Sequence, residues 1–217
     1  MENRAVPIGE SIRVGWSATK EHIAFFILLF VVYLAVSFGL SMVLGFFVDY
    51  TLVYIILNIA IYVVDVLLSF GLIAISLAVL DKKELSIGQL FSQTHILGKG
   101  ILLYVAYYAI VLLGLILFII PGIIFGIKYS QSFYLLLDKN LSVKESLKQS
   151  AAMVKGLKLE LFLFAIALGF INLLGLIALL VGLFATVPLT MIASAYVYRV
   201  MLKSMPAANT ETVTVQA

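Results

Sequence analysis

The stretch ILLYVAYYAIVLLGLILFIIPGIIFGIKYSQSFYLLL, residues 101–137, decides the fold. It runs for 37 residues, its only charge is Lys128, and it is interrupted at Ile120-Pro121-Gly122. As helix it reaches about 55 Å, against about 60 Å for two crossings of a hydrocarbon core. It is therefore either a short hairpin, with the Pro-Gly break as its turn or as a kink just after it, or a single span with a re-entrant arm.

The residues on either side choose between these. Five further apolar stretches flank it or share it, at about residues 23–47, 51–80, 123–137, 157–179 and 183–202. Of the 14 Lys and Arg residues, 13 lie in four places: Arg4, Arg13 and Lys20; Lys82, Lys83 and Lys99; Lys139, Lys144, Lys148, Lys155 and Lys158; Arg199 and Lys203. The connections near Asp49, Pro121 and Gly182 carry none. The positive-inside bias then places both termini and both long polar segments in the cytoplasm of a multi-pass plasma (inner) membrane protein. A single span at residues 101–137 would move the five-lysine segment to the other side. The expectation is an all-α fold of six transmembrane helices in three hairpins, forming one integral membrane domain over residues 1–204, with 205–217 a disordered cytoplasmic tail.

Composition agrees. The chain has 217 residues, 64% hydrophobic and 12% charged, about half the charged fraction of a soluble domain, so lipid must supply part of the apolar environment. There is no cysteine and only His22 and His95, which excludes disulfides, thiol nucleophiles and histidine metal clusters; no cofactor or metal is expected. Glu2, Arg4, Glu10 and Arg13 precede any apolar run, unlike a signal peptide, so the N-terminus is expected to be retained.

A motif recurs before each hairpin: Pro7-Ile8-Gly9-Glu10-Ser11-Ile12, Ser86-Ile87-Gly88-Gln89-Leu90-Phe91 and Ser142-Val143-Lys144-Glu145-Ser146-Leu147, with Lys20, Lys99 and Lys155 in register. This gives repeat units of about 7–80, 86–137 and 142–202. Ser86 with Gln89 and Ser142 with Glu145 read as capping boxes, and Pro7 suits a first helical turn. Ile8, Ile12 and Trp16 then share a helical face, as do Ile87, Leu90, Phe91 and Leu97, and Val143, Leu147 and Val154, which predicts three amphipathic helices lying in the membrane interface. They act either as structural belts or as recognition surfaces for a lipid or partner. Lys144, Lys148, Lys155 and Lys158 make the third the candidate lipid-facing basic surface.

Ile120-Pro121-Gly122-Ile123-Ile124, Tyr129-Ser130-Gln131, Leu137-Asp138-Lys139-Asn140-Leu141-Ser142, Asn172-Leu173-Leu174-Gly175, Val187-Pro188-Leu189 and Tyr198-Arg199 together give a pattern. The chain resembles a group of uncharacterised bacterial six-helix integral membrane proteins, akin to the membrane domain fused to some glycerophosphoryl diester phosphodiesterases. The resemblance implies the fold alone. In such fusions the diesterase chemistry sits on a separate soluble barrel, which these residues do not contain, so no phosphodiesterase activity is carried over.

Ionisable groups inside spans are costly and so mark candidate sites. Asn58, Tyr62, Asp65, Ser69 and Ser76 form a stripe along the second span that is expected to face the bundle interior. Lys128, Gln131 and Ser132 share a face of the fourth span, and Tyr196, Arg199 and Lys203 one of the sixth. Asp65 lies 16 residues before Asp81 and Lys128 lies 10 before Asp138, about 24 and about 15 Å of helix, a difference much of which a lysine stem could span. The candidate polar site is therefore Asp65, Lys128, Tyr129, Gln131, Tyr196 and Arg199. It is either an ion pair and packing contacts, or a cytoplasm-facing cavity for an anionic headgroup or solute. Ser37, Ser41 and Gly45, and Gly122 with Gly126, allow close helix approach, and Asn172 is expected to bond a neighbouring helix.

The function expected is non-enzymatic: binding or organising membrane lipid, of anionic type, or a membrane-protein partner at the cytoplasmic face, with no nucleic acid involved. The alternative is a permease or export accessory moving a small amphiphile or anion around Asp65, Lys128 and Arg199, with breaks at Pro121 and Pro188. An intramembrane enzyme would need a nucleophile with its base, a carboxylate pair or metal ligands, and the membrane core offers one Asp and one Lys.

Overall fold

The computed structural model describes residues 5–178 and 181–205. Of the expected tail only Met205 is among them, and it is buried; the rest, 206–217, lies outside the described residues. The described chain is helical with no strand: α1 (Ile8–Glu21), α2 (Ile23–Gly45), α3 (Thr51–Leu80), two 3-10 turns (Ile87–Phe91 and Gln93–Ile96), α4 (Leu97–Leu117), α5 (Ile119–Tyr129), α6 (Ser132–Lys139), α7 (Val143–Met153), α8 (Lys158–Ile177) and α9 (Leu183–Lys203). Six segments are long and apolar enough to cross a membrane: α2, α3, Ile87–Leu117, Ile119–Lys139, α8 and α9. The chain fits a multi-pass membrane protein.

The decisive stretch turns three residues before the proline. Phe118 alone is extended (φ −165°, ψ 155°), which ends α4 and starts α5, while Pro121 sits in the first turn of α5, where its missing N–H leaves no helix bond unmade. α4 and α5 then run antiparallel at close range. A β-carbon on Gly114 would stand 2.9 Å from the Cα of Gly122, and the Tyr107 hydroxyl donates to the Gly126 carbonyl at 3.1 Å. The expected close approach at Gly122 and Gly126 is present. The returning arm breaks again at Ser130-Gln131, which separates α5 from α6.

α8 and α9 also pack antiparallel, where Asn172 Nδ2 donates to Thr190 Oγ1 at 3.3 Å, the neighbouring-helix bond expected of Asn172. The Ser37, Ser41 and Gly45 stripe behaves otherwise: among the described residues no other helix comes within 4 Å of a β-carbon at Gly45, and the Ser41 hydroxyl turns back to the Ser37 carbonyl at 2.8 Å. Ser41 and Gly45 are exposed, so that serine satisfies itself locally, while Ser37 is half-buried.

The three segments that precede the spans differ from one another. α1 runs antiparallel along α9 with Ser11, Gly15 and Thr19 buried, whereas Trp16 faces outward. A β-carbon at Gly15 would collide with the Leu189 carbonyl, so small residues set the closest approach, with Ile8 half-buried against the core beside them. At residues 86–91 the capping box forms: Gly88 N–H donates to Ser86 Oγ at 3.2 Å and Ser86 N–H to Gln89 Oε1 at 3.3 Å. The box opens into a pair of 3-10 turns that insert Leu90 against Gly71 of α3, leaving Leu90 and Ile96 fully buried. α7 is capped by Ser142, whose Oγ accepts from Glu145 N–H at 3.3 Å, but the Glu145 carboxylate holds Gln149 Nε2 at 3.2 Å rather than closing the box. Its buried face is Ser146, Gln149, Ser150 and Met153, seated on the α5–α6 break.

Burial is concentrated at the end of the bundle that carries the basic residues. Leu68, Ile75, Leu90, Leu136, Leu141, Val154, Ala193 and Tyr198 are fully buried there. Away from it the helices are bare: Phe46 and Leu52 are 77% exposed, Ile116 73% and Ile177 68%. Lipid tails solvate leucine as well as another leucine does, so apolar surface in a membrane has no drive to be covered by protein.

Candidate functional site

The six expected site residues do not meet in one cavity. Arg199 of α9 goes to the ends of two other spans. Its Nη1 donates to both carboxylate oxygens of Asp138 at 3.0 Å and its Nη2 to Asp81 Oδ2 at 2.8 Å. The buried Tyr198 adds its hydroxyl to Asp138 Oδ2 at 2.8 Å, with its ring stacked on Tyr134 at 5.1 Å. Lys83 and Lys139 lie 3.7 and 3.6 Å from Asp81 and Asp138. Arg199 thus closes the basic ends of α3, α6 and α9 together, through a two-pronged donor that a lysine could not reproduce.

Asp81 and Asp138 were not among the expected site residues, yet a signal for them exists. Leu80-Asp81-Lys82, shortly before Leu85-Ser86, matches Leu137-Asp138-Lys139, shortly before Leu141-Ser142. Both helices end in the same way, with Lys82 and Asn140 in the left-handed region at φ 52° and 47°. An aspartate at a helix C-terminus faces the negative end of the dipole, so a repeated one calls for a cation from elsewhere.

Lys128 lies 5.0 Å over the ring of Tyr129, and among the described residues it makes no ion pair with Asp65. Its carbonyl accepts from Ser150 Oγ at 2.9 Å, and the same Oγ accepts from the Gln131 N–H at 3.2 Å, so one hydroxyl stitches the broken backbone between α5 and α6. Gln131 is 7% exposed; its Nε2 donates to Ser130 Oγ at 3.1 Å while its Oε1 has no partner in the described chain. Gln131 lines a cavity of about 360 Å³ with Tyr107, Tyr134, Phe164 and Ser194. Tyr196 is spent on α1, donating to Glu10 Oε1 at 2.8 Å. Asp65 stands apart, in a cleft between α3 and α4 with Tyr62, Ser69, Tyr104 and Tyr108. The expectation that the whole α3 stripe faces inward fails at its far half: Ser76 is buried, but Asn58 and Tyr62 face outward, because α3 is packed only toward its basic end.

Lys144, Lys148, Lys155 and Lys158 all project outward. Lys148 lies 3.9 Å from Glu145 on the solvated face of α7, a pair worth little. Lys158 differs, since it heads a groove of about 360 Å³ between α5 and α8 walled by Ile120, Ile123, Ile124, Ile127, Leu159 and Phe162. The wall is wholly apolar, Lys158 adding its methylene stem, so the groove is a slot of hydrocarbon beside an exposed basic residue. Among the described residues no three His, Asp or Glu side chains are grouped to hold a metal ion. Comparison of the chain with protein-family models, with curated proteins and with solved structures gives no match.

Proposed function

We propose that this is a non-enzymatic protein of the plasma membrane that binds anionic lipid at its cytoplasmic face. The observation that carries this reading is the α5–α8 groove. It extends from Ile127 to Ile120, about 10 Å along the helix, with Lys158 at its mouth and Lys155, Lys144 and Lys148 outward on the adjoining segment. An acyl chain fits the isoleucine wall, and the exposed lysines beside it attract an anionic headgroup, each basic residue near an anionic surface adding about 1 kcal/mol.

The architecture that goes with it is three hairpins, each preceded by its own inserted segment. Support comes from where those segments sit. The 3-10 turns seat on α3, α7 on the α5–α6 arm, and α1 on α9, so each lies against the returning span of the unit before it, with α1 closing the ring. The basic ends of those three returning spans converge on Arg199. The permease alternative loses support, because Asp65, Lys128 and Arg199 go to three separate places.

The test is native mass spectrometry of the detergent-purified protein with phosphatidylglycerol and with phosphatidylcholine of the same chains. Preferential retention of phosphatidylglycerol, reduced about five-fold in Lys158→Gln, is the expected result. Equal retention of both lipids, or no change in the variant, would remove the lipid reading.

A further inference from the structure

The cleft between α3 and α4 has the opposite electrostatic character to the basic face. It holds about 520 Å³ and is lined by Tyr62, Asp65, Val66 and Ser69 of α3 with Tyr104 and Tyr108 of α4. Asp65 lies near the middle of the 30-residue α3, so the cleft sits within the span rather than at its end. Tyr62 and Tyr108 are 45% and 55% exposed, so the cleft opens sideways between the helices to the surrounding membrane.

Nothing in the described chain neutralises the Asp65 carboxylate. No Lys, Arg or His nitrogen of the described residues lies within 4.0 Å of it. Arg199 is occupied by Asp81 and Asp138, and Lys128 by Tyr129. The Ser69 hydroxyl, one turn on, is committed elsewhere too, since its Oγ donates to the Asp65 backbone carbonyl at 2.8 Å. The carboxylate is surrounded instead by aromatic rings: those of Tyr104 and Tyr108 are stacked 6.0 Å apart at 28°, and Tyr62 lies one helical turn before Asp65. Aromatic faces attract cations, and an anionic group inside a membrane is tolerated when a cation reaches it. A lone carboxylate with tyrosine walls suits a single diffuse positive charge rather than a metal ion, which would need several hard ligands.

We propose that the α3–α4 cleft binds a lipophilic organic cation, such as an amine or quaternary ammonium entering from the membrane, with Asp65 as counter-ion and Tyr62, Tyr104 and Tyr108 as the aromatic wall. This site is separate from the lipid groove and stands whether or not the groove holds a lipid.

Equilibrium dialysis of the protein in a neutral detergent tests it, with tetraphenylphosphonium as probe and tetraphenylborate as the control of like shape and opposite charge. Saturable binding of the phosphonium and none of the borate is expected. Asp65→Asn should weaken the phosphonium at least ten-fold, Asp65→Glu should retain it, and Tyr108→Leu should weaken it several-fold. Equal binding to wild type and Asp65→Asn, or borate bound as tightly as phosphonium, overturns the proposal. If Asp65→Asn is not monodisperse, Tyr108→Leu decides: phosphonium binding unchanged by the loss of this outward-facing ring overturns the proposal as well.

Discussion

At the scale of single residues, Arg199 ties the basic ends of α3, α6 and α9 together through Asp81 and Asp138. Its side chain is 22% exposed and that of Asp138 13%, so the pair is partly withdrawn from water and each partner depends on the other. Arg199→Gln leaves Asp138 with only the Tyr198 hydroxyl and Lys139, and Asp81 with only the more exposed Lys83. Loss of charged hydrogen bonds of this kind costs about 2 kcal/mol, read as a lower melting temperature in detergent. Arg199→Lys should recover less than half of it, since an ammonium cannot bridge both carboxylates. A double-mutant cycle with Asp138→Asn should show coupling; additive effects would mean that the three groups act independently. The sequence marked Arg199 as a candidate because it is an ionisable group on one face of the sixth span with Tyr196 and Lys203. Its partners are 118 and 61 residues away, which no local rule reaches.

At the scale of elements, glycine decides which helices touch. Gly15 and Gly71 each face a backbone carbonyl, of Leu189 and of Leu90, and a carbonyl in a helix or a tight turn cannot step aside as a side chain can. Gly15→Val and Gly71→Val should each cost about 1–3 kcal/mol or more and free the inserted segment, seen as faster amide exchange in α1 or in residues 87–96 respectively. Gly39, in the body of α2 with nothing within 4 Å, is the control: Gly39→Ala should be neutral or stabilising by about 0.5–1 kcal/mol. The same contrast explains the unequal fate of the three repeated segments. The capping box at Ser86 and Gln89 was legible because the two side chains satisfy each other's neighbourhood locally, whereas Ser142 caps α7 without Glu145 closing the box. Whether a helix came after Ser86 was not legible, because Leu90 is drawn to the slot at Gly71 and the chain tightens into 3-10 turns to deliver it.

At the scale of the whole molecule, the proposed hairpin topology is open to a clean test, since the chain has no cysteine and single cysteines can be introduced without background. Membrane-impermeant maleimide should label Asp49→Cys and Phe118→Cys from outside intact cells, and Lys83→Cys and Lys155→Cys only after the cells are opened. Labelling of Lys155→Cys from outside would break the middle hairpin and with it the threefold arrangement. The helical class, the six apolar segments and the clustering of basic charge were all legible in the sequence, because hydropathy, helix caps and charge bias depend on neighbours a few residues apart. Tertiary packing alone settles which polar groups meet: Arg199 with Asp81 and Asp138, Tyr196 with Glu10, and Lys128 kept from Asp65. The rotation of each helix about its own axis sets those meetings, and it is fixed by close contacts such as those at Gly15, Gly71 and Gly122, between residues that the sequence places far apart.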